Sequence, residues 1–235
     1  RSHTQKAWNP DVAFAITQHA LRAPALINSI QVEPEMGSPS HGGLPLARAI
    51  QEGHTWRITG HKLYSTGSHL LDWLNVLAVT DEKEPRVGLF LVPKKAKGVE
   101  IVETWTPLGM RATASHDIVL TNVISPLEHA SGLYSAANGL RRDDDDFAWY
   151  LSLVGAVYTG VAIAARDWLV EFLQKRKPSQ LAGLALSSLP TVQDTLGNIE
   201  LLIEASDALL DQHAALYTNG QPHVQVRLVA RYSAV

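Results

Sequence analysis

The sequence predicts an α+β fold in which a small β barrel is flanked by helical bundle segments. The main observation is a single change in the hydrophobic period. The period is short, as in strands, from about residue 27 to 126, and it lengthens after Pro126 to the period of packed helices. A separate helical pattern precedes residue 27. The chain is therefore predicted to contain a short helix, a β domain and then long antiparallel helices.

The first helix is predicted over residues 8–22. The Asn9 side chain can accept a hydrogen bond from a backbone N–H in the first helical turn. Pro10 suits the first helical position, because the N–H that proline lacks would have no partner there. The helix start is therefore the best-defined boundary in this part of the sequence.

Many short strands are predicted in the following hundred residues, with turns at Glu84-Pro85 and Lys97-Gly98. The expected strands lie near residues 27–33, 54–66, 73–80, 86–92, 99–107 and 116–124. Strands this short and this closely spaced are typical of a small barrel or sandwich.

Two long helices are predicted after residue 126, near 147–175 and 190–217, each with a seam at alternating steps of four and three residues. The first seam consists of Tyr150, Val154, Val157, Val161, Ala164 and Trp168. The second consists of Val192, Leu196, Ile199, Ile203, Ser206 and Leu210. A single small hydroxyl such as Ser206 can bond to its own helix and still pack in such a seam.

Composition argues against several classes of protein. The 235 residues carry a net charge of -3 and contain no cysteine, so no basic excess attracts nucleic acid and no thiolate is present for a disulfide or a metal. The ten histidines lack HxxxH or HxH spacing, and we predict no metal site. We also expect no membrane span, because no uninterrupted apolar run approaches roughly 20 residues, and no export signal; the expected location is cytoplasmic.

The stretch WRITGHKLYSTGS, residues 56–68, has more small hydroxyls than a hairpin needs. The alternation of Trp56 and Ile58 with polar residues, followed by Gly60, predicts a strand and a turn. Nothing in hairpin formation requires the run of tyrosine, hydroxyl and glycine residues at 64–68. A phosphate loop and a serine hydrolase are not indicated, because GxGxxG, the Walker pattern and GxSxG are all absent.

Five motifs together resemble a known family. They are EPEMGS at 33–38, WRITGHKLYSTGS at 56–68, GLFLVP at 88–93, WTPLGMRATAS at 105–115 and DIVLTNVISP at 117–126. Their order and spacing are similar to those of the middle β domain of flavin-dependent acyl-CoA dehydrogenases, and ARDWLVEFLQKRKP and TVQDTLGNIE resemble the start of the C-terminal bundle of that family.

The resemblance implies a division of the chain into three parts. Residues 1–26 would be a remnant of the N-terminal helical domain, 27–126 the middle β-barrel domain and 127–235 an incomplete C-terminal helical bundle. The joint HALRAPALINSIQVE is shorter than its counterpart in the family, so we expect segments to be missing there as well.

The resemblance also implies flavin-binding residues in the β domain. Tyr64 would lie against the flavin, and the Thr66 hydroxyl, next to Ser65, would bond near its reactive nitrogen. An aromatic wall with a few short donors suits this flat ring with polar edges. Ser38 would point toward the pyrophosphate, while Gln31-Val32 would contribute backbone contacts to the flavin edge.

Two further flavin contacts are implied in the helical part, at Arg176 and Gln193. Arg176 matches the arginine that reaches the FAD of the neighbouring subunit, which implies a homodimer or homotetramer. The catalytic glutamate of the family is expected beyond Val235. Tyr150 occupies the alternative position used by a minority of relatives, and a tyrosine cannot act as a carboxylate base.

Three functions follow from the resemblance. The first is FAD-dependent α,β-dehydrogenation of an acyl-CoA thioester, with electrons passed to an acceptor such as a flavoprotein. The second is a flavin monooxygenase on the same scaffold, which would use FMN and another small-molecule substrate. The third is a non-catalytic flavin-binding scaffold.

Overall fold

The computed structural model describes residues 8–36, 43–140 and 144–218, and the chain divides into two compact units, 1–141 and 142–235. The described part of the first unit contains helix α1 (Pro10–Ala20) and strands β1 (Ile27–Ile30), β2 (Arg48–Glu52), β3 (Thr55–Ser65), β4 (Trp73–Thr80), β5 (Arg86–Pro93), β6 (Val99–Val102), β7 (His116–Pro126) and β8 (Ala130–Ser135). The second unit contains helices α2 (Asp144–Lys175) and α3 (Pro190–Thr218). The α+β class is confirmed.

Helix α1 begins as the sequence predicts. The Asn9 side chain accepts a hydrogen bond from the Asp11 N–H at 2.9 Å, and Pro10 occupies the first helical position. The helix ends at Ala20, two residues earlier than predicted, because the N–H groups of Arg22 and Ala23 both turn back to the His19 carbonyl. This helix is therefore fixed at its start by its cap.

The strands form one mixed sheet with the order β6-β7-β3-β2-β4-β5-β8, and β1 pairs with β4 beside this path. Both β1 and β2 run parallel to β4, whereas the other pairs are antiparallel. The sheet curls on itself: the Ser125 hydroxyl of β7 donates to the Leu91 carbonyl of β5 at 2.9 Å, although four places separate these strands in the order.

Several strand predictions need correction. Strand β1 ends at Ile30 instead of near residue 33, and the turn predicted at Gly60 is absent because β3 continues to Ser65. Strands β2 and β8 were not predicted, and β6 ends at Val102 instead of near residue 107. The predicted strand 99–107 is short because Thr104 leaves the ladder and its hydroxyl donates to the Asp117 carboxylate at 2.7 Å. Strand β2 was missed because its sequence, RAIQE, has little apolar alternation and is held mainly by its neighbours β3 and β4.

The core of the sheet unit comes from the inward positions of the strands. Trp56 and Ile58 of β3 are buried two residues apart, as the period of a strand requires. The Trp56 ring meets Phe90 edge to face, with centroids 5.2 Å apart. Strand β4 is buried on both faces from Leu74 to Thr80, as expected for a central strand covered on two sides.

The two helices of the second unit run antiparallel. Ser152 near the start of α2 contacts His213 near the end of α3, and farther along α2 the Arg166 guanidinium pairs with the Glu200 carboxylate of α3. The predicted seam of α3 is confirmed in the sense that its residues are all buried or half-buried, with Ile203 the most enclosed.

The predicted seam of α2 is wrong. Val157, Val161 and Trp168 are exposed to more than half of their surface, and the buried positions are instead Ser152, Gly155, Thr159 and Leu173. Three of these four positions hold small residues, which let the two backbones approach more closely than the larger apolar side chains of the predicted seam would.

The exposed apolar side chains give α2 an unexpected property. By length and hydropathy, Tyr150–Lys175 meets the criterion for a helix able to cross a membrane, although the expectation from uninterrupted apolar runs was that no segment would. Bundle helices of soluble proteins meet the same criterion, and within this segment Arg166 is paired with Glu200.

Candidate functional site

The end of strand β3 presents Tyr64 in an unusual conformation. Its φ is 53°, in the left-handed region that residues other than glycine rarely adopt. The register of β3 against β7 shifts between Lys62 and Ser65, and this irregularity turns the Tyr64 side chain outward. The side chain is 60% exposed and its ring lies edge to face with Trp105, with centroids 6.2 Å apart.

Thr66 lies next to this ring at the outer end of a chain of hydroxyls. Its Oγ1 is 2.9 Å from the Ser115 Oγ, which is 2.8 Å from the Thr113 Oγ1. The Thr113 hydroxyl donates to the Met110 carbonyl at 2.9 Å. Thr66 is exposed whereas Ser115 is buried, so this chain leads from the surface into the protein.

Ser65 faces the opposite side of the strand from Tyr64. Its side chain is fully buried, and its Oγ has no hydrogen-bond partner among the described residues. The sequence grouped this residue with its two neighbours, but the pleat of the strand separates their side chains. Only the backbone of Ser65 shares the surface on which Tyr64 and Thr66 lie.

Strand β1 borders this surface. The Leu63 N–H donates to the Val32 carbonyl at 2.9 Å, and the Asn28 side-chain amide donates to the Thr66 carbonyl at 3.0 Å. The Gln31 amide donates to Ser29 at 2.8 Å. The structure therefore brings Gln31 and Val32 beside the end of β3, as the prediction of a shared site requires, while Ser38 lies outside the described residues.

A buried ion pair anchors both ends of the segment that contains EPEMGS. The Glu33 carboxylate accepts hydrogen bonds from the N–H groups of Leu46 and Ala47 at 2.6 and 3.0 Å, and from Lys62 Nζ at 2.5 Å. Lys62 also donates to the Leu77 carbonyl at 2.6 Å. Burial lowers the pKa of Lys62, and the Glu33 carboxylate opposes that shift.

This ion pair ties together three elements near the site. Glu33 follows β1, Lys62 belongs to β3, and the N–H groups that bind Glu33 immediately precede β2. The strand that carries Tyr64 is thus fixed two residues before the ring. Sequence reasoning did not identify this pair, although Trp56, Ile58 and Lys62 share the inward period of β3 and a lysine at a core position needs a partner.

Arg176 and Gln193 lie in the second unit, where both contact the segment joining the two helices. The Arg176 carbonyl accepts a hydrogen bond from the Leu186 N–H, and the Gln193 amide donates to the Ser187 carbonyl, each at 2.9 Å. The Arg176 side chain is exposed. The structure therefore places these two predicted residues at the same turn of the helical pair.

The sheet unit also contains a cleft of about 680 Å³ between α1 and the sheet. Its walls include Ile16 of α1, Leu71 and Trp73, with charged groups such as Asp72 and Lys95 at its rim. Tyr64 and Thr66 are not among its lining residues. The predicted site residues therefore form an open surface separate from this cleft.

Thr113 and Ser115 are site residues that the sequence analysis did not identify, although both lie in the motif WTPLGMRATAS. The two hydroxyls in the ending ATAS were the available signal, but the segment is not an extended strand: Arg111–Thr113 forms a 3-10 helix and Ala114 has a φ of 43°. Their contact with Thr66 depends on the pairing of Ser65 with His116 across β3 and β7, which the motif alone does not reveal.

Comparison with known proteins agrees with this fold. Residues 31–123 match the family model described as "Acyl-CoA dehydrogenase, middle domain". A relative from Bacillus subtilis, named "Putative acyl-CoA dehydrogenase YdbM", is 34% identical over 226 residues, which cover 95% of this chain and 57% of that protein. The chain thus spans little more than half of this relative's length.

Solved structures show the same architecture. A probable acyl-CoA dehydrogenase from Mycobacterium abscessus superposes with a TM-score of 0.83 at 16% identity, covering 98% of this chain and 60% of that one. TdsC from a Paenibacillus species, solved with FMN and indole, gives a TM-score of 0.77 at 20% identity, covering 96% and 59%. These solved structures show the fold, while the matched middle domain and the bacterial relative identify the chain as a member of the acyl-CoA dehydrogenase family.

Proposed function

We propose that the chain is part of an FAD-dependent acyl-CoA dehydrogenase that introduces a double bond between the α and β carbons of an acyl-CoA thioester. The observation that carries this proposal is the exposed Tyr64 ring beside the hydroxyl chain that ends at Thr66. A flat heteroaromatic group with polar edges needs such an aromatic wall and a positioned hydroxyl, so the residues fit a flavin.

Each residue has a distinct role in this proposal. Tyr64 and Trp105 supply aromatic surface for the flavin ring. The Thr66 hydroxyl, whose position is fixed by Ser115, forms a hydrogen bond with the polar edge of that ring. Gln31 and Val32 offer backbone groups beside them. A bound flavin would accept the hydride from the β carbon. We further propose that Arg176 and Gln193 reach the cofactor of a second copy in a homo-oligomer, and that an electron-accepting flavoprotein reoxidises the enzyme in the cytoplasm.

A flavin monooxygenase is the second candidate. The observation that favours it is Tyr150, which places no carboxylate at the base position used by a minority of relatives. The fold likeness to TdsC, a protein solved with FMN, is consistent with this candidate. The same Tyr64 and Thr66 surface would then hold FMN, and the substrate would not need to be a thioester.

Flavin binding is the first test. The purified full-length protein should bind FAD or FMN, and Thr66→Val should weaken that binding or shift the flavin spectrum by the loss of one hydrogen bond, about 0.5–1.5 kcal/mol, while folding is retained because the volumes match. Thr59→Val is the matched control, since Thr59 is an exposed threonine within β3 and bonds Asn122 instead of Ser115. A protein that binds neither flavin with Tyr64 and Thr66 intact contradicts both enzymatic proposals and leaves a scaffold that does not use flavin.

Anaerobic addition of acyl-CoA separates the two enzymes. A dehydrogenase reduces its own flavin with a suitable thioester, so the absorbance of the oxidised flavin near the visible maximum should disappear without any other reductant. A monooxygenase needs flavin that has been reduced elsewhere, so its spectrum should not change. The loaded, full-length enzyme should be used, because the chain spans about half the length of the relatives it matches.

A further inference from the structure

The three hydroxyls beside Tyr64 form a hydrogen-bonded chain whose direction is fixed at its inner end. The Met110 carbonyl, which also accepts from the Trp105 indole N–H and the Thr113 backbone N–H, cannot donate. The Thr113 hydroxyl lies 2.9 Å from this oxygen and therefore directs its one proton to it. Ser115 must then donate to Thr113, and Thr66 must donate to Ser115. Each hydroxyl has one proton, and in this arrangement Thr66 has already used its own.

The consequence appears at the surface. With its proton directed inward, the Thr66 oxygen presents lone pairs to a ligand and acts as an acceptor. Ser115 is only 4% exposed, so Thr66 is the member of the chain that meets a ligand. The polarity of the contact is therefore set by residues that the ligand does not touch.

The surrounding backbone holds this arrangement in place. The Asn28 amide donates to the Thr66 carbonyl at 3.0 Å, and the Gly67 N–H donates to the Thr113 carbonyl at 2.7 Å. Met110 and Ala114 both have positive φ, 54° and 43°. Two non-glycine residues in this conformation cost energy that the loop must recover elsewhere, and such strain is concentrated at functional sites.

We propose that Ser115 and Thr113 are positioning residues that make Thr66 a hydrogen-bond acceptor and thereby favour reduced over oxidised flavin. This inference rests on the proposed flavin site. The reactive ring nitrogen of oxidised flavin is an acceptor, whereas in the fully reduced ring it carries a proton and can donate. An inward-directed Thr66 matches the reduced ring, whereas a Thr66 hydroxyl that donated outward would match the oxidised one.

The test is a comparison of affinities for the two oxidation states of FAD, measured anaerobically by titration of the full chain. Ser115→Ala removes the inner acceptor for Thr66, so its proton becomes free to turn toward the ligand. The ratio of reduced to oxidised affinity should fall about three- to tenfold, the effect of one hydrogen bond. Ser115→Thr keeps the hydroxyl and should leave the ratio within about twofold of the wild type.

A second variant changes Thr113, which contacts Ser115 and not Thr66 itself. Thr113→Val deprives Ser115 of its acceptor, so Ser115 can donate to Thr66 and release the Thr66 proton outward; the ratio should fall in the same direction as for Ser115→Ala. In a Thr66→Val background neither substitution should change the ratio further, because the group that they orient is gone.

The outcomes separate this inference from the proposed function. If the wild type binds FAD and the substitutions weaken both oxidation states by the same factor, the hydroxyls have only a structural role and the inference is wrong. If the ratio rises instead of falling, Thr66 is a donor in the wild type and the assigned direction is wrong. A wild type that binds neither state overturns the flavin proposal and this inference together.

Discussion

The sheet unit and the helical unit differ in how much of their apolar surface they bury. In the sheet unit the fully buried set includes Phe90 and Leu74, and the charges that are buried there, Glu33 and Lys62, are paired. In the helical unit the contact between α2 and α3 includes the polar pair Ser152 and His213, 2.6 Å apart. Leu173 and Ile203 are buried there, but other large apolar side chains such as Val157 are exposed.

The difference follows from the number of neighbours that each element has. A central strand such as β4 is flanked on both edges and covered on both faces, so its pattern is satisfied within the sheet unit. A helix with one partner buries only one stripe, and α2 is apolar around more of its circumference than α3 can cover. The sheet unit is therefore stabilised by its own core, whereas the helical pair is stabilised by one seam.

Removal of one charge from the sheet core should have the largest effect. Lys62→Met leaves the Glu33 carboxylate buried without its counter-ion, and we expect the sheet to lose about 3–5 kcal/mol of unfolding free energy. Hydrogen exchange of β3 and β4 amides, resolved by mass spectrometry, measures this separately from the helical unit.

The double variant Glu33→Gln/Lys62→Met is the control for that substitution. It leaves no uncompensated charge, so part of the lost stability should return. If the single variant costs less than about 1 kcal/mol, the buried pair contributes no more to the stability of the sheet unit than an exposed ion pair would. The two units would then differ in apolar burial and not in the stabilisation by buried charges.

A matched pair of leucine substitutions tests the contrast in apolar burial. Leu74 is fully buried in the sheet, and Leu74→Ala should cost about 2–5 kcal/mol. Leu201 of α3 is 69% exposed, and Leu201→Ala should change the stability of the helical pair by no more than about 0.5 kcal/mol. Local hydrogen exchange reports each value. A loss at Leu201 comparable to that at Leu74 would mean that this leucine is buried in the native protein, and the contrast would then disappear.

The same difference explains which elements could be predicted from the sequence. Strand β4 was predicted to the residue, 73–80, because its apolar run, interrupted by Asn75, has the length and the valine content typical of a strand. Strand β8, with the sequence ASGLYS, was missed because its pairing with β5 compensates for weak local preference. In α2 the alternating pattern identified a helix, but Val157 and Val161 were assigned to the wrong face because the small residues that allow close packing carry no hydrophobic signal.

The site shows the same limit. Tyr64 and Thr66 could be named from one local motif, because residues two positions apart in the chain are necessarily close in space. Thr66 and Ser115, however, are 49 residues apart, and Glu33 and Lys62 are 29 apart. Such contacts depend on strand register, and a slip of one residue would turn each side chain to the other face.

Acidification should weaken the helical pair. Burial lowers the pKa of His213 below its ordinary value of 6.5. The unfolded helices therefore bind a proton at a higher pH than the folded ones, so stability is complete above about pH 6.5 and is lost as the pH falls through that value. Hydrogen exchange of α3 amides between pH 7.5 and about 5, corrected for intrinsic exchange rates, measures the loss.

His213→Gln removes the titrating group and should abolish this pH dependence, while retaining a side chain able to hydrogen-bond Ser152. A helical pair whose stability stays constant over the same pH range would mean that His213 is solvated, contrary to its burial beside Ser152. Any pH dependence that remains in the His213→Gln variant would have to come from other groups.

A small and local effect is expected at α1, a helix of the sheet unit whose side chains are mostly exposed or half-buried. Ile16 is its buried residue, so its start depends on the Asn9 cap more than on packing. Asn9→Ala should cost about 1 kcal/mol, because the Asp11 N–H loses its acceptor. Asn9→Asp retains an acceptor at the same position and should retain most of the stability.

Faster exchange confined to the amides of residues 10–20 would show that the helix is only locally coupled to the sheet. If the β3 and β4 amides exchange faster as well, α1 contributes to the stability of the sheet core. The sheet unit would then depend on a helix that buries only one face, and the contrast with the helical pair would be weaker.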